Sequence, residues 1–399
     1  MHLFLYIRAI LENGDRVRST SQFMGEEEPL GIGALLHWNS LLIISSIFVT
    51  LVAITTFTSR LDGVHISIVI GLLILSIILL ITAADFFIEG AKGLAQKAGI
   101  AEVIIGLTIV SIGTSLPEIL VTTTAAASAG RTGDSAMIDL AVGNIFGSVL
   151  VQITFILGIV ALVRPLNIRP DWLRRDGLIM LGAVIFCSLL LWQGGGLSRF
   201  EGFILCSTYV VYIWWLLKNR ENIREDEIEA VGEIRASEFS WSTAAYLIMV
   251  IIGLFFAIFA ATKLVELASE IGESMNIPPA IVGTVMSGLG TSLPELTVAL
   301  MAAKRSSGVA IGTLIGSNIT DPLLSIGIAA MVNPLIVSNE SYGLIMHLIV
   351  PATIIGVAIC LAMMYTGMQF TRMEGGLLIG LYVFFLVLLE LHRQGFIVL

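Results

Sequence analysis

The chain alternates long apolar runs with short polar connections. A helix that crosses a bilayer needs about 20 mostly apolar residues, and eleven runs satisfy or approach that length. The first is Leu35–Phe57. Five follow it: Val64–Ile88, Ile100–Ala127, Ala136–Val163, Gly177–Trp192 and Leu197–Leu217. A charged stretch, Lys218 to Ser240, interrupts the pattern. Five more runs complete it: Thr243–Leu267, Pro278–Ala303, Val309–Val332, Tyr342–Thr366 and Gly375–Leu391. One run contains "SIGTSLPEILV" at 111–121, with Pro117 and Glu118 side by side in apolar surroundings. A proline breaks the helix ladder, and a carboxylate in lipid is expensive.

Composition agrees with the pattern. Of 399 residues, 56% are hydrophobic and 13% charged, with mean hydropathy +0.96, against roughly 25% charged in a soluble domain. The fold class is therefore an all-α polytopic membrane protein. The net charge of −9 argues against nucleic acid and agrees with cationic partners. Cys187, Cys206 and Cys360 fall in apolar runs at no metal-binding spacing and read as small buried hydrophobes. The five histidines are scattered and form no metal-binding tract.

Lys and Arg concentrate on the cytoplasmic side of membrane proteins. With the Arg164–Arg175 loop placed in the cytoplasm, that side collects sixteen basic residues: Arg8, Arg16, Arg18, Lys92, Lys97, Arg164, Arg169, Arg174, Arg175, Lys218, Arg220, Arg224, Arg235, Lys304, Arg305 and Arg372. The outside collects five: Arg60, Arg131, Arg199, Lys263 and Arg393. This predicts a cytoplasmic N-terminus and linker and an external C-terminus. The first run follows about 34 residues that include Glu26, Glu27 and Glu28, and no small-x-small cleavage site follows it, so it reads as a retained anchor. The 218–240 stretch carries seven acids and four bases and reads as a solvated hinge.

The block GTSLPE occurs at 113–118 and again at 290–295, an offset of 177. Gly106 with Gly283, and Glu89 with Glu266, keep that offset. "GNIFGSVLVQ" at 143–152 answers "GTLIGSNITD" at 312–321 at an offset of 169, and "VRPL" at 163–166 answers "VNPL" at 332–335. These identities mark an internal duplication. Each half holds five runs, an odd number, so the halves lie in opposite orientations. The predicted fold is a ten-helix core of two inverted five-helix repeats plus one extra N-terminal helix. Its parts are an N-terminal tail and helix (1–63), a first repeat (64–217), a charged cytoplasmic linker (218–241) and a second repeat (242–399). Secondary transporters of this design bind substrate near the midplane, at helices broken in both halves.

The broken segments offer oxygen. Pro117 and Pro294 free the carbonyls of Gly113 and Gly290, and freed carbonyls in a membrane need a partner, which a cation can be. Thr114, Ser115 and Glu118 add side-chain oxygen within one turn; Thr291, Ser292 and Glu295 repeat the set. Ser148 with Gln152, and Ser317 with Asp321, are each four apart and share a helix face. Pro322 follows Asp321 and frees the carbonyl of Asn318, whereas the first half has Ile153 there. Taken singly, Ser148 or Gln152 would be expected to bond its own helix or pack. Three intramembrane carboxylates in duplicated frames are another matter, because such groups default to function. Oxygen ligands without thiolate or imidazole suit Ca²⁺, which takes about 6–8 oxygens, and not zinc. One Ca²⁺ offsets two of the three charges, while up to three monovalent cations offset all of them. A site filled by one set or the other is the physical basis of antiport. Asp85, Glu89, Glu266 and Glu270 lie toward run ends and read as interfacial charges, with Glu89 and Glu266 a lesser prospect as an entry path.

Paired GTSLPE segments, each followed by a G-x-x-G-S block, resemble the alpha repeats of the cation/Ca²⁺ antiporter superfamily, in its prokaryotic sodium/calcium exchanger branch. The resemblance covers roughly residues 64 to 391. It implies a prokaryotic cell membrane, Ca²⁺ exchanged for Na⁺, no cofactor and no enzyme activity. It also implies that the first helix of each half slides over a fixed bundle. It places ion ligands at Thr114, Ser115, Glu118, Ser148, Thr291, Ser292, Glu295, Ser317 and Asp321, with the backbone carbonyls of Ser111 and Gly288. Gln152 departs from the Asn or Asp common there and, being longer, reaches the site differently. The extra N-terminal helix lies outside the resemblance.

Partners read this way are Ca²⁺, Na⁺ and the bilayer, with no nucleic acid and no evident protein partner. An H⁺/Ca²⁺ exchanger and a K⁺-dependent variant stay open. An intramembrane hydrolase is remote, since the chain has no H-E-x-x-H pair and no activated Ser–His set.

Overall fold

A computed structural model describes residues 38–58, 66–97, 111–168, 173–218, 242–303 and 307–397. The N-terminal tail, the first part of the run at 100–127 and the charged linker at 219–241 lie outside the described residues. Helix occurs in each of the eleven apolar runs. In chain order they are α1 (Trp38–Thr58), α2 (Ile66–Lys97), α3 (Ser111–Thr114 and Leu116–Thr132), α4 (Ala136–Val163), α5 (Leu173–Gly194), α6 (Arg199–Lys218) and α7 (Thr243–Met275). Then come α8 (Pro279–Ile281, Val282–Ser287 and Gly288–Thr291, resuming as Leu293–Ala303), α9 (Ser307–Thr320, Asp321–Ser325 and Ile326–Val332), α10 (Asn339–Gly367) and α11 (Arg372–Arg393). Seven of them (α2, α4, α5, α7, α9, α10 and α11) are long and apolar enough to cross a membrane by length and composition. The molecule is an all-α membrane protein.

Local chemistry sets several ends. Thr371 and Glu374 form a reciprocal capping box at the start of α11. Ser242 caps α7 by accepting from Ala245 N at 3.2 Å. α3 stops at Gly133, whose φ of +74° is the left-handed conformation that closes a helix, with its N–H on Ala129 O at 2.8 Å.

α2 and α7 outrun their predicted apolar stretches, reaching Lys97 and Met275 rather than Ile88 and Leu267. Past its apolar limit α2 rests on α7, and past its own α7 meets α8, where a Cβ added at Gly272 would lie 2.8 Å from Val282 Cγ2. A Cβ added at Gly90 would lie 2.8 Å from Tyr246 O, and one at Gly253 would lie 2.6 Å from Phe87 N. Backbone thus meets backbone where side chains would hold the helices apart. These contacts run in opposite sequence directions, so the pair is antiparallel.

α4 and α8 cross as closely. Added Cβ atoms at Gly143 and Gly147 would sit 2.5 Å from Ala280 O and 2.3 Å from Thr284 O, and one at Gly288 would sit 2.9 Å from Ser148 N. Here sequence numbers rise together, so α4 and α8 are parallel. The turn at 133–135 makes α3 antiparallel to α4, so α3 and α8 run in opposite directions.

Two small ladders tie the halves reciprocally. β1 (Leu166–Asn167), after α4, pairs with β4 (Gln369–Phe370), before α11. β3 (Leu335–Ile336), after α9, pairs with β2 (Gly196–Leu197), before α6. Gly158 on α4 meets Gly375 on α11, and Gly327 on α9 meets Gly202 on α6.

The buried apolar side chains form two clusters. The larger one joins α3 to α6 with α8 to α11. The second is built mainly from α1, α2 and α7. Phe48 of α1 packs edge-on to Phe256 and Phe259 of α7, at centroid distances of 5.0 and 4.8 Å.

Candidate cation site

Ser115 and Ser292 break α3 and α8 at matching points. Their backbone angles are φ −83°, ψ 6° and φ −85°, ψ 6°. Each helix restarts at the following leucine, Leu116 or Leu293, with the proline one place further on. The ladder resumes with Ile119 N on Ser115 O at 3.0 Å and Leu296 N on Ser292 O at 3.2 Å. The same local sequence produces the same break in two helices of opposite direction.

α4 and α9 present the second set of residues. Each widens into a single π-helical turn, at Gln152–Ile156 and at Asp321–Ser325. Such turns gather at functional sites because the extra residue per turn swings side chains off the regular ladder. Only the second has a proline. α4 has Ile153 in that place and widens all the same, so the difference expected between the halves is absent from the backbone. Ser148 and Gln152 lie twelve and sixteen residues along a 28-residue helix, roughly 18–24 Å from its start at 1.5 Å per residue. That is mid-depth.

Thr114, Ser115, Glu118, Ser148, Gln152, Thr291, Ser292, Glu295, Ser317 and Asp321 are all buried, none more than 4% exposed. They come from four helices, and hydrogen bonds gather most of them into two groups. Gln152 Nε2 donates to Ser292 Oγ at 3.2 Å and, at a longer 3.4 Å, to Asp321 Oδ2. Ser292 Oγ in turn donates to Glu118 Oε1 at 3.2 Å. Ser317 Oγ donates to Glu295 Oε1 at 3.4 Å and touches Thr114 Oγ1 at 3.4 Å. Ser148 Oγ lies 3.0 Å from Asp321 Oδ2 and 2.9 Å from Ile145 O, its one proton serving either. Thr291 Oγ1 donates to Gly288 O at 3.3 Å, a carbonyl that also receives Ser292 N at 3.3 Å. Gly288 is thus engaged within its own helix, while Ser111 opens the described part of α3.

Four oxygens in this region have no hydrogen-bond partner among the described residues: Ser115 Oγ, Glu118 Oε2, Gln152 Oε1 and Glu295 Oε2. Buried polar atoms are almost always paired, and an unpaired buried carboxylate oxygen is especially costly. All four atoms are acceptors of the hard type that alkali and alkaline-earth cations take. Among the described residues no three of the His, Cys, Asp and Glu side chains gather closely enough to hold one ion. The three carboxylates therefore do not close on a single centre in this conformation.

Sequence reading passed over three features of this region. Ser325 Oγ donates to Asp321 Oδ1 at 3.3 Å; its i+4 spacing from Asp321 is the signal that could have found it. Asn144, one turn before Ser148, donates to Thr122 Oγ1 at 2.9 Å and accepts from Ser287 Oγ at 2.6 Å, locking α3, α4 and α8 together. Asp139 accepts from Ser338 N at 2.9 Å and from Ser338 Oγ at 2.5 Å, tying α4 to the start of α10. Their partners are 22 to 199 residues away, so spacing carries no sign of them. Glu266 stands at the surface and pairs with Lys263 at 2.6 Å, and Asp85 and Glu270 are exposed.

An all-helical membrane protein with unpartnered oxygen at mid-depth is, in class, a membrane protein equipped to handle cations. Comparison with known proteins narrows the class. The model of the sodium/calcium exchanger protein family matches residues 68–218 and 245–390, and the chain belongs to that family. Sodium/calcium exchanger MaX1 of Methanosarcina acetivorans is 29% identical over 351 residues, covering 80% of this chain and 97% of its own length. Inner membrane protein YrbG of Escherichia coli is 31% identical over 275 residues, covering 66% and 80%. Among solved structures, the sodium-calcium exchanger NCX_Mj soaked with Na⁺ and Sr²⁺ aligns at a TM-score of 0.53 and 26% identity, covering 81% of this chain and 99% of that one. The family is one of cation/Ca²⁺ transporters, not of enzymes, and α1 lies outside the matched residues.

Proposed function

We propose that this chain is a secondary active antiporter that exchanges Ca²⁺ for Na⁺ across a membrane by alternating access. The supporting observation is the set of four unpartnered buried oxygens, drawn from α3, α4 and α8, at mid-depth. Glu118 and Glu295 supply the charge for the ion. Thr114, Ser115, Ser148, Gln152, Thr291, Ser292 and Ser317 complete an oxygen lining, and Asp321 adds a third charge beside it. The carbonyls of Ser111 and Gly288 would join only after local bonds such as those on Gly288 O give way.

The halves at 64–217 and 242–399 act as inverted repeats. The opposed directions of α3 and α8 and the reciprocal strand pairs support that reading. α2 and α7 are the moving element, which their separate apolar cluster supports: a pair that packs mainly on itself and on α1 can shift against the larger bundle at little cost in burial. The excess of basic residues on one side supports a cytoplasmic N-terminus and linker and an external C-terminus in a prokaryotic cell membrane.

The test is ⁴⁵Ca²⁺ uptake into liposomes containing the full chain, driven in turn by outward Na⁺, K⁺ and H⁺ gradients. The proposal expects uptake that follows the Na⁺ gradient. Uptake that follows only the pH gradient would replace Na⁺ with H⁺ as counter-ion.

A further inference from the structure

α3 contributes two of the four unpartnered oxygens, Ser115 Oγ and Glu118 Oε2. A cation that settles on them needs more oxygen than one helix offers, since Ca²⁺ takes about 6–8 oxygens at about 2.3–2.6 Å. The rest must come from other helices, so the place of α3 against its neighbours sets how well the shell closes.

α4 and α8 are held together by their glycines. Cβ atoms added at Gly143, Gly147 and Gly283 would each strike backbone of the other helix. The described glycines of α3 make no such contact: Cβ atoms added at Gly113 and Gly130 would meet the side chains of Ile88 and Asn333. A polar tie joins α3 to α4 instead. Asn144, fully buried on α4, donates from Nδ2 to Thr122 Oγ1 on α3 at 2.9 Å and accepts at Oδ1 from Ser287 Oγ on α8 at 2.6 Å. Either orientation of the amide joins the same helices, because each hydroxyl can donate or accept.

Both partners lead back to the site. Thr122 follows Glu118 by four residues and shares its helix face. Ser287 directly precedes Gly288, whose carbonyl receives Ser292 N at 3.3 Å, and Ser292 Oγ donates to Glu118 Oε1 at 3.2 Å. Asn144 thus closes a ring that runs from Glu118 through Thr122, Asn144, Ser287 and Ser292 back to Glu118.

We infer that Asn144 is a positioning residue for the cation site: through Thr122 it holds α3 at the distance from α4 at which Ser115 and Glu118 serve the ion. This rests on the cation-site reading above and not on the choice of counter-ion. The two bonds of the amide differ in weight. The bond to Ser287 repeats a crossing that the glycines already fix, while the bond to Thr122 adds hold where the glycines give none.

The experiment compares two near-isosteric losses at the same amide. Thr122→Val and Ser287→Ala each remove one hydroxyl and leave one polar atom of Asn144 unpaired, so similar drops in thermal unfolding temperature are expected. Equilibrium ⁴⁵Ca²⁺ binding to the full chain in detergent, and Na⁺-driven ⁴⁵Ca²⁺ uptake in liposomes, then separate support from positioning. Thr122→Val is expected to raise Kd and KM for Ca²⁺ roughly 3–10-fold, the equivalent of one hydrogen bond, with the maximal rate little changed. Ser287→Ala should leave both constants near wild type, as should Thr122→Ser, which keeps the hydroxyl. An unchanged Kd in folded Thr122→Val, or an equal rise in Ser287→Ala, overturns the inference. If Thr122→Val fails to fold, Thr122→Ala removes the same hydroxyl and is read by the same rule. Ca²⁺ binding without Na⁺-driven uptake overturns the antiport reading and leaves this inference standing; a wild-type chain that binds no Ca²⁺ overturns both.

Discussion

α4 and α9 carry the same backbone design and different charges. Both cross the molecule with a G-x-x-x-G-S segment and both widen into a π-helical turn four residues past its serine. In α4 that residue is an amide and in α9 a carboxylate. α9 alone has the proline that would explain the widening from local sequence. The backbone form therefore does not depend on it, and packing against neighbouring helices is enough to hold the turn in α4. What the duplication left free to differ is the side chain. There the difference is large, because one half contributes a donor to the acid of the other.

The comparison can be broken at four levels. The largest effect is expected from Glu118→Gln and Glu295→Gln. Under the proposed function each removes one charge offered to the ion from a buried site, where loss of a charged partner costs about 3–5 kcal/mol, or at least ~100-fold in affinity at 1.4 kcal/mol per decade. Initial ⁴⁵Ca²⁺ uptake should fall by about that factor in both; a variant that retains activity would release its glutamate from the site.

Next comes the close crossing that sets α4 against α8. Gly147→Ala drives a Cβ to 2.3 Å from Thr284 O, a backbone atom that cannot swing away. Overpacking of this kind costs about 1–3 kcal/mol. Gly380→Ala on α11, with nothing within 4 Å among the described residues, is the control. Thermal unfolding in detergent should drop clearly for the first and hardly move for the second.

Asp321→Asn tests the asymmetry itself. If Asp321 is held mainly by protein donors, its neutral form should weaken Ca²⁺ uptake by about tenfold, on the order of 1.4 kcal/mol, well short of the glutamate variants. Equal losses at all three acids would make the halves functionally alike. The smallest effect belongs to Ser325→Ala, which removes one 3.3 Å donor from Asp321. A hydrogen bond of that kind is worth about 1 kcal/mol, so a roughly fivefold change in apparent Na⁺ affinity is expected. Ile156 holds the corresponding place in α4, so Ile156→Ala should leave Na⁺ affinity closer to wild type.

Much of this was readable along the chain. The run Ala136–Val163 coincides with α4, and the break at each GTSLPE block falls within the turn before the proline, on the serine two places ahead of it. The ends of α2 and α7 were misjudged because their last turns are polar. Packing on α7 at Gly90 carries α2 onward, and packing on Val282 of α8 at Gly272 carries α7 onward. The π turn at Gln152 was invisible because no local residue demands it. The network of Asn144, Thr122 and Ser287 was invisible because its members are far apart in sequence.

Local rules with short reach were determined by the sequence alone. Apolar run length set the helices, proline and glycine set the breaks, and the exact repetition of GTSLPE set which residues belong together. These depend on neighbours within a turn or two, so order along the chain is enough to state them. Which carboxylate oxygens are left without donors was decided only by the tertiary structure. Glu118, Glu295 and Asp321 are alike as acids in apolar runs, and a hydrogen bond is made or missed over a fraction of an ångström. The amide of Gln152 finds Asp321 169 residues away, and only folding brings that donor to one acid and leaves one oxygen of each of the other two without a partner among the described residues.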